Sequence, residues 1–257
     1  MRFDVYLFEK GYVKSRQKAK SLIEDGNVFV DSKVINKPSY MIDECVEHKV
    51  EILDDCPYVS RGGLKLEKIL DVTGISVADK VCIDIGASTG GFTHCLLLNG
   101  AKKIFAVDSG RDQLAKIIKE DSRVISIENC NARYISKEQI GEAVDVITID
   151  VSFISQALII PSATKLLKPD GVYLSLIKPQ FEVGKANVGK GGIVKDKKHH
   201  LSAALSVIAS AVENGLICTC FTKSPIQGGD GNVEYLAAFS FNGEQVKEEN
   251  IKKIIFE

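Results

Sequence analysis

The stretch DIGASTGGFTHCLL, residues 84–97, follows the apolar run KVCI and reads as a buried strand, a glycine-rich turn and the first turns of a helix. Such a turn brings backbone N–H groups and a helix N-terminus up against a nucleotide-like ligand. A phosphate-cradling P-loop would end in Gly-Lys-Ser/Thr, whereas Gly90 and Gly91 run into Phe92 and Thr93. With no lysine in the loop a nucleoside triphosphate is disfavoured, which leaves a dinucleotide or another adenosine compound.

Working outward, strand-like runs at 81–85, 103–107, 124–127, 144–149, 172–177, 217–221 and 235–241 alternate with helical patterns at 63–73, 93–99, 112–120, 156–165 and 199–214. That alternation predicts an α/β fold with a doubly wound, Rossmann-like parallel sheet. In such a sheet the ligand lies beyond the carboxyl ends of the strands, and an acidic residue closing the second strand holds the ribose hydroxyls. Asp108, in IFAVDSG, stands there. The dinucleotide pattern G-x-G-x-x-G would need glycine where this loop has Ser88. The spacing therefore favours S-adenosylmethionine over NAD, with Gly86, Ala87, Ser88, Thr89, Gly90, Gly91, Phe92 and Asp108 around it. Asn131 reads either as an adenine neighbour or as a turn residue.

Residues 1–56 form a separate unit, with 57–60 as a linker and 61–257 as the larger domain. From Lys10 to Lys20, KGYVKSRQKAK carries five cations and no acid. A helix over 15–24 stops at Asp25-Gly26, then short strands at 28–30 and 34–35 flank a turn at Asp31-Ser32-Lys33. Ser15, Arg16, Ala19, Leu22, Ile23, Gly26, Val28 and Val30 match the pattern of the S4 RNA-binding domain, which this α+β unit resembles. Arg2, Lys14, Ser15, Arg16, Lys18 and Lys20, with Arg61 across the linker, are its candidate RNA contacts. Such contacts read RNA mainly through backbone and shape. A second basic run, KGGIVKDKKHH at 190–200, reads as a solvated face or a binding loop.

Four charged residues stand at strand ends or helix starts: Lys65, Asp150, Lys178 and Glu234. Two amines and two carboxylates on one rim suit methyl transfer to a ribose 2′-hydroxyl, which needs a base. A lysine serves when desolvation or a second cation favours its neutral form. The segments VSRGGLKLEK, DIGASTGGFT, TIDVSFIS, IKPQFEVGK and GGIVKD together resemble the TlyA family of hemolysin A-type rRNA 2′-O-methyltransferases, an S4 domain fused to an RrmJ/FtsJ-like methyltransferase domain. The resemblance implies that Lys65, Asp150, Lys178 and Glu234 form the catalytic tetrad, with Lys178 as base and Asp150 also at the cofactor. It implies S-adenosylmethionine as cofactor and a cytidine ribose of large-subunit rRNA, and in some members of small-subunit rRNA, as substrate. The partner expected is ribosomal RNA or a ribosomal subunit. The likeness departs at CPYV, where Cys56 and Tyr58 replace the family's Arg and Trp.

Composition narrows the field. The chain has 257 residues, is 45% apolar and 26% charged, and has a formal net charge of −1. No run approaches the roughly 18–20 apolar residues of a membrane span, and MRFDVYLFEKG is charged from the start, unlike a signal peptide. Seven cysteines with no C-x-x-C pair read as reduced thiols of a cytoplasmic protein, with no metal cluster. The oligomeric state is not encoded in these features. Two other classes are an RNA-binding assembly factor with an inactive methyltransferase fold and a membrane-active hemolysin; the latter lacks a membrane-scale apolar face. An S4-bearing pseudouridine synthase would need a β-rich catalytic domain, which the alternation opposes.

Overall fold

The computed structural model describes residues 1–24, 26–31, 33–52, 56–228 and 231–257; Asp25 and Ser32, assigned above to turns, lie outside them. Two compact units result, Met1–Pro57 and Tyr58–Glu257. Tyr58, Val59 and Ser60, read from sequence as linker, count with the second. The reason is local packing. The Tyr58 ring covers Gly63, where any Cβ would lie 2.1 Å from it, and its hydroxyl donates to Glu67 (2.6 Å).

In the first unit α1 (Phe3–Glu9) and α2 (Arg16–Glu24) share one core with a small antiparallel sheet of β1 (Val28–Val30), β2 (Lys33–Val34) and β3 (Val50–Ile52), ordered β2-β1-β3. Helix α2 is amphipathic: Ala19, Leu22 and Ile23 are buried while its cations face out.

The second unit runs α3 (Gly62–Thr73), β4 (Val81–Ile85), α4 (Gly91–Leu98), β5 (Lys103–Val107), α5 (Lys116–Lys119), β6 (Val124–Ile127), α6 (Lys137–Ile140), β7 (Val144–Ile149) and α7 (Ile160–Ala163). It continues with β8 (Leu167–Ile177), α8 (Pro179–Glu182), α9 (Lys197–Glu213), β9 (Ile217–Lys223), β10 (Tyr235–Ser240) and α10 (Glu248–Phe256). Its strands form a seven-stranded sheet ordered β6-β5-β4-β7-β8-β10-β9. Central β4 is buried along its whole length, as a strand covered on both faces must be. The sheet is parallel from β6 to β8, but β10 is antiparallel to both neighbours. This corrects the all-parallel expectation and matters for the site. Because β10 runs backwards, its beginning meets the carboxyl ends of β8 and β9, with Tyr235 opposite Ile177 and Lys223.

Candidate active site

The glycine turn sits between β4 and α4. Gly86 has φ +85°, and a Cβ there would strike the Asp150 carbonyl oxygen at 2.3 Å, so only glycine lets β4 and β7 approach this closely at their ends. Ser88 is held at φ +47° by its N–H, which donates to Asp108 Oδ2 (2.8 Å); the other Asp108 oxygen accepts from Gly110 N (2.7 Å). Asp108 thereby ties the first turn to the end of β5.

Two adjoining cavities open at this rim. The larger, about 740 Å³, is lined by Gly86, Ser88, Asp108, Asn131, Asp150 and by Phe153 among others. The smaller, about 140 Å³, is lined by Ser60, Gly62, Lys65, Gly86, Ala87, Ser88, Thr89, Gly91, Phe92 and Asp150. Gly86, Ser88 and Asp150 belong to both. Gly90 lines neither: its φ of +94° shapes the turn, and it packs against Leu114 and Ile118. Asn131 lines the larger cavity, and its side chain accepts from Arg133 N (3.1 Å) at a turn.

The four charged residues form two ion pairs, with Asp150 lining both cavities and Lys65 the smaller. Lys65, on the first turns of α3, donates to Glu234 Oε2 at 2.6 Å, with side-chain exposures of 10% and 2%. Register explains Glu234: it precedes Tyr235, and so arrives at the level of Lys178, which follows Ile177. Gly228 leaves it room, since a Cβ there would meet Glu234 Oε1 at 2.6 Å. Lys178 Nζ lies 2.5 Å from Asp150 Oδ1 and donates to Ser152 Oγ (3.1 Å). The approach to Asp150 is off-angle for a hydrogen bond, so Oδ1 is a buried oxygen in ionic contact without an aligned donor.

The sequence reading missed Ser152 and Phe153. Phe153 is 91% exposed at φ +65°, on the lip of the larger cavity, with its ring 5.0 Å from that of Phe181. A bulky residue in the left-handed region is costly and points to function. Its only sequence signal was the position just past Asp150. Among the described residues, no group of three His, Cys, Asp or Glu gathers as a metal would need.

The candidate RNA residues fall in two places. Asp4, buried in the first unit, takes both Arg2 (2.9 and 3.1 Å) and Arg16 (3.3 Å), whose side chains stay half exposed. Lys20 pairs loosely with Glu24 (3.7 Å), Ser15 Oγ accepts from Lys18 N (3.1 Å), and Lys14 and Lys18 are exposed. In the second unit Arg61 donates to the Gln227 carbonyl (3.0 Å).

Residues 58–241 match the family model for the FtsJ-like methyltransferase, and residues 1–48 match the S4 domain. The chain is 40% identical to the 16S/23S rRNA (cytidine-2′-O)-methyltransferase TlyA of Mycobacterium tuberculosis, over 91% of this chain and 87% of that one. It belongs to the TlyA family of FtsJ-like methyltransferases. A Bacillus subtilis family member, YqxC, named as a candidate rRNA methyltransferase, is 44% identical over 100% of this chain and 93% of its own. A solved Streptococcus thermophilus structure, described as a candidate hemolysin, superposes with a TM-score of 0.78 at 40% identity, covering 100% of this chain and 94% of that one. No helix among the described residues is long and apolar enough to cross a membrane.

The cavities fit S-adenosylmethionine, the cofactor of this methyltransferase fold. The larger has the size of a small-molecule site. It offers Asp108 at the end of the second strand and, shared with the smaller, the Gly86 turn, Ser88 and Asp150.

Proposed function

We propose that this protein transfers a methyl group to the 2′-hydroxyl of a cytidine in ribosomal RNA, as an enzyme of the cytoplasm whose substrate is rRNA or a ribosomal subunit. The observation that carries the reading is the pair of ion pairs, Lys65–Glu234 and Lys178–Asp150, each with one member, Lys65 or Asp150, lining the cavities at the glycine turn.

S-adenosylmethionine, when bound, supplies a methyl group on a positively charged sulfur. The chain's residues do the rest. Asp108 and the turn from Gly86 hold the adenosine end. Lys178, as an uncharged amine, would take the proton of the 2′-hydroxyl onto Nζ while that oxygen takes the methyl group, whose bond to sulfur breaks with its electron pair left on sulfur. Asp150, which lines both cavities, pairs with the Lys178 amine at 2.5 Å and orients it. Lys65, fixed by Glu234, adds a second positive charge at the same rim. Phe153 offers an exposed aromatic face on which an unstacked base can lie. Holding oxygen and methyl in line supplies much of the remaining acceleration.

Purified protein with radiolabelled methyl donor should label rRNA on cytidine ribose. Lys178→Ala should lower turnover by about 10³-fold, in the usual range for the loss of one general base, with S-adenosylhomocysteine affinity kept within about threefold. Label on a base, or undiminished turnover in Lys178→Ala, would overturn the reading.

A further inference from the structure

Beyond Ile149 the segment that carries Asp150, Ser152 and Phe153 has no ladder partner on β8. Two side chains outside the chemistry described above take the ladder's place. Gln156, 1% exposed, donates from Nε2 to the Leu176 carbonyl (2.6 Å) and accepts at Oε1 from Ser175 Oγ (2.7 Å). Glu182, in α8, accepts from Ser155 Oγ (2.6 Å) at one oxygen and from Gln156 N (3.0 Å) at the other. The two staples grip the same short segment, and their anchors, Ser175 and Leu176 in β8 and Glu182 in α8, fall on either side of Lys178.

Neither Gln156 nor Glu182 lines either of the two cavities described above. Burial pushes the Glu182 carboxyl up, against the opposing pull of its hydrogen bonds from Ser155 and from the Gln156 N–H. Removing a carboxylate from water is unfavourable, and an apolar side chain would fill the same space without that cost. What a leucine could not do is fix the 150–156 segment against α8 to within hydrogen-bonding tolerance. Ser155 strengthens the point, because its Oγ also accepts from Ala157 N (3.2 Å) and so locks the turn that follows.

We propose that Glu182 is a positioning residue which, through Ser155 and Gln156, sets the spacing between the Asp150–Phe153 segment and Lys178. The inference rests on Lys178 being the base and extends that reading to a residue that touches neither substrate nor cofactor. A misplacement of about 1 Å at a reacting group costs on the order of 10²-fold in rate.

Full-length Glu182→Leu, Glu182→Gln and Ser155→Ala are compared with the wild type. The readouts are steady-state methyl transfer to rRNA, S-adenosylhomocysteine affinity by calorimetry, and the Nζ resonance of Lys178 in ¹⁵N-lysine-labelled protein, assigned with Lys178→Arg. Glu182→Leu and Ser155→Ala should lower kcat between about tenfold and 10²-fold, leave the donor KM and S-adenosylhomocysteine affinity unchanged within about threefold, and move the Lys178 resonance. Glu182→Gln keeps an acceptor facing Gln156 N and should restore kcat to within about threefold of wild type. Unchanged kcat and resonance in Glu182→Leu would overturn the proposal. So would a parallel fall of kcat, cofactor affinity and melting temperature, which marks a general structural role. If Glu182→Leu fails to fold, Ser155→Ala, which deletes one hydroxyl, decides by the same criteria. A wild-type protein inactive on rRNA would sink the function proposed above; the Lys178 resonance, which needs no substrate, would still uphold or overturn the brace.

Discussion

Asp84 is a carboxylic acid in the middle of the most buried strand. It accepts from Thr93 Oγ1 (2.6 Å) and Thr148 Oγ1 (2.9 Å), yet burial pushes its carboxyl up to about 6. The folded chain thus keeps a proton that the unfolded chain loses nearer pH 4. The stability this acid contributes is fully present below pH ~4 and is lost as pH rises through about 6. Asp84→Asn removes the titration. Its stability relative to wild type should therefore rise from pH 4 to pH 7, by roughly 3 kcal/mol in all, in urea unfolding at stepped pH; a pH-independent difference would refute the assignment. Phe153 makes the opposite case, a side chain that costs stability in order to be exposed. Phe153→Gly should relieve about 1 kcal/mol or more of backbone strain, leaving the melting temperature equal or higher, while turnover on rRNA falls at least about tenfold, the loss of one stacked base. A drop in stability with turnover kept would show the ring to be merely packing.

At the scale of elements, the sequence was most legible where periodicity and burial agreed. The strands at 81–85, 103–107, 124–127 and 144–149 begin and end where the apolar runs do. Helices were harder. The pattern at 112–120 gives a helix only at Lys116–Lys119, because Asp112 is left-handed (φ +53°) and Ala115 is extended. The single helix expected over 156–165 is broken into a 3-10 turn at Gln156–Leu158, α7 and another turn at Thr164–Leu166. Pro161 explains the break, since it has no N–H for the preceding turn and starts a helix rather than continuing one. Helix α1 went unread although Phe3, Tyr6 and Leu7 stand at helical spacing and are buried; Asp4, also buried, disguised the stripe, and its partners Arg2 and Arg16 are remote in pattern. That pairing bears on α2 as an RNA-binding element. Replacing Arg16 and Lys18 together by neutral residues should weaken RNA binding and reduce the slope of log affinity against log salt by roughly 1 to 2. An unchanged slope would mean that Asp4 already occupies Arg16 and that α2 presents no phosphate contact.

On the scale of the molecule, each unit has a core of its own. One gathers Phe3, Leu7, Ile23 and Val28; the other gathers Ile83, Ile147, Tyr173 and Phe239. A unit with its own core should fold alone. Residues 58–257 expressed by themselves should bind S-adenosylhomocysteine within about threefold of the full chain, and lose about 10-fold or more in rRNA affinity with the first unit and its cationic 10–20 segment removed. Calorimetry and filter binding check the two halves separately, and loss of cofactor affinity would show that the first unit does more than hold RNA. That Lys65, Asp150, Lys178 and Glu234 stand at strand ends or helix starts was legible in the sequence; how they pair was not. Nothing in the order of residues 65, 150, 178 and 234 says that the first joins the last, because that depends on β10 running against its neighbours.

Lys65 and Glu234 are 169 positions apart. A chain emerging from the ribosome presents its cofactor turn and three of its four site residues long before the strand that completes them. Until β10 has reversed into the gap between β8 and β9, the first lysine lacks its counter-charge and the rim stays open. On the mechanism proposed above, a chain that stops short of β10 should transfer no methyl group.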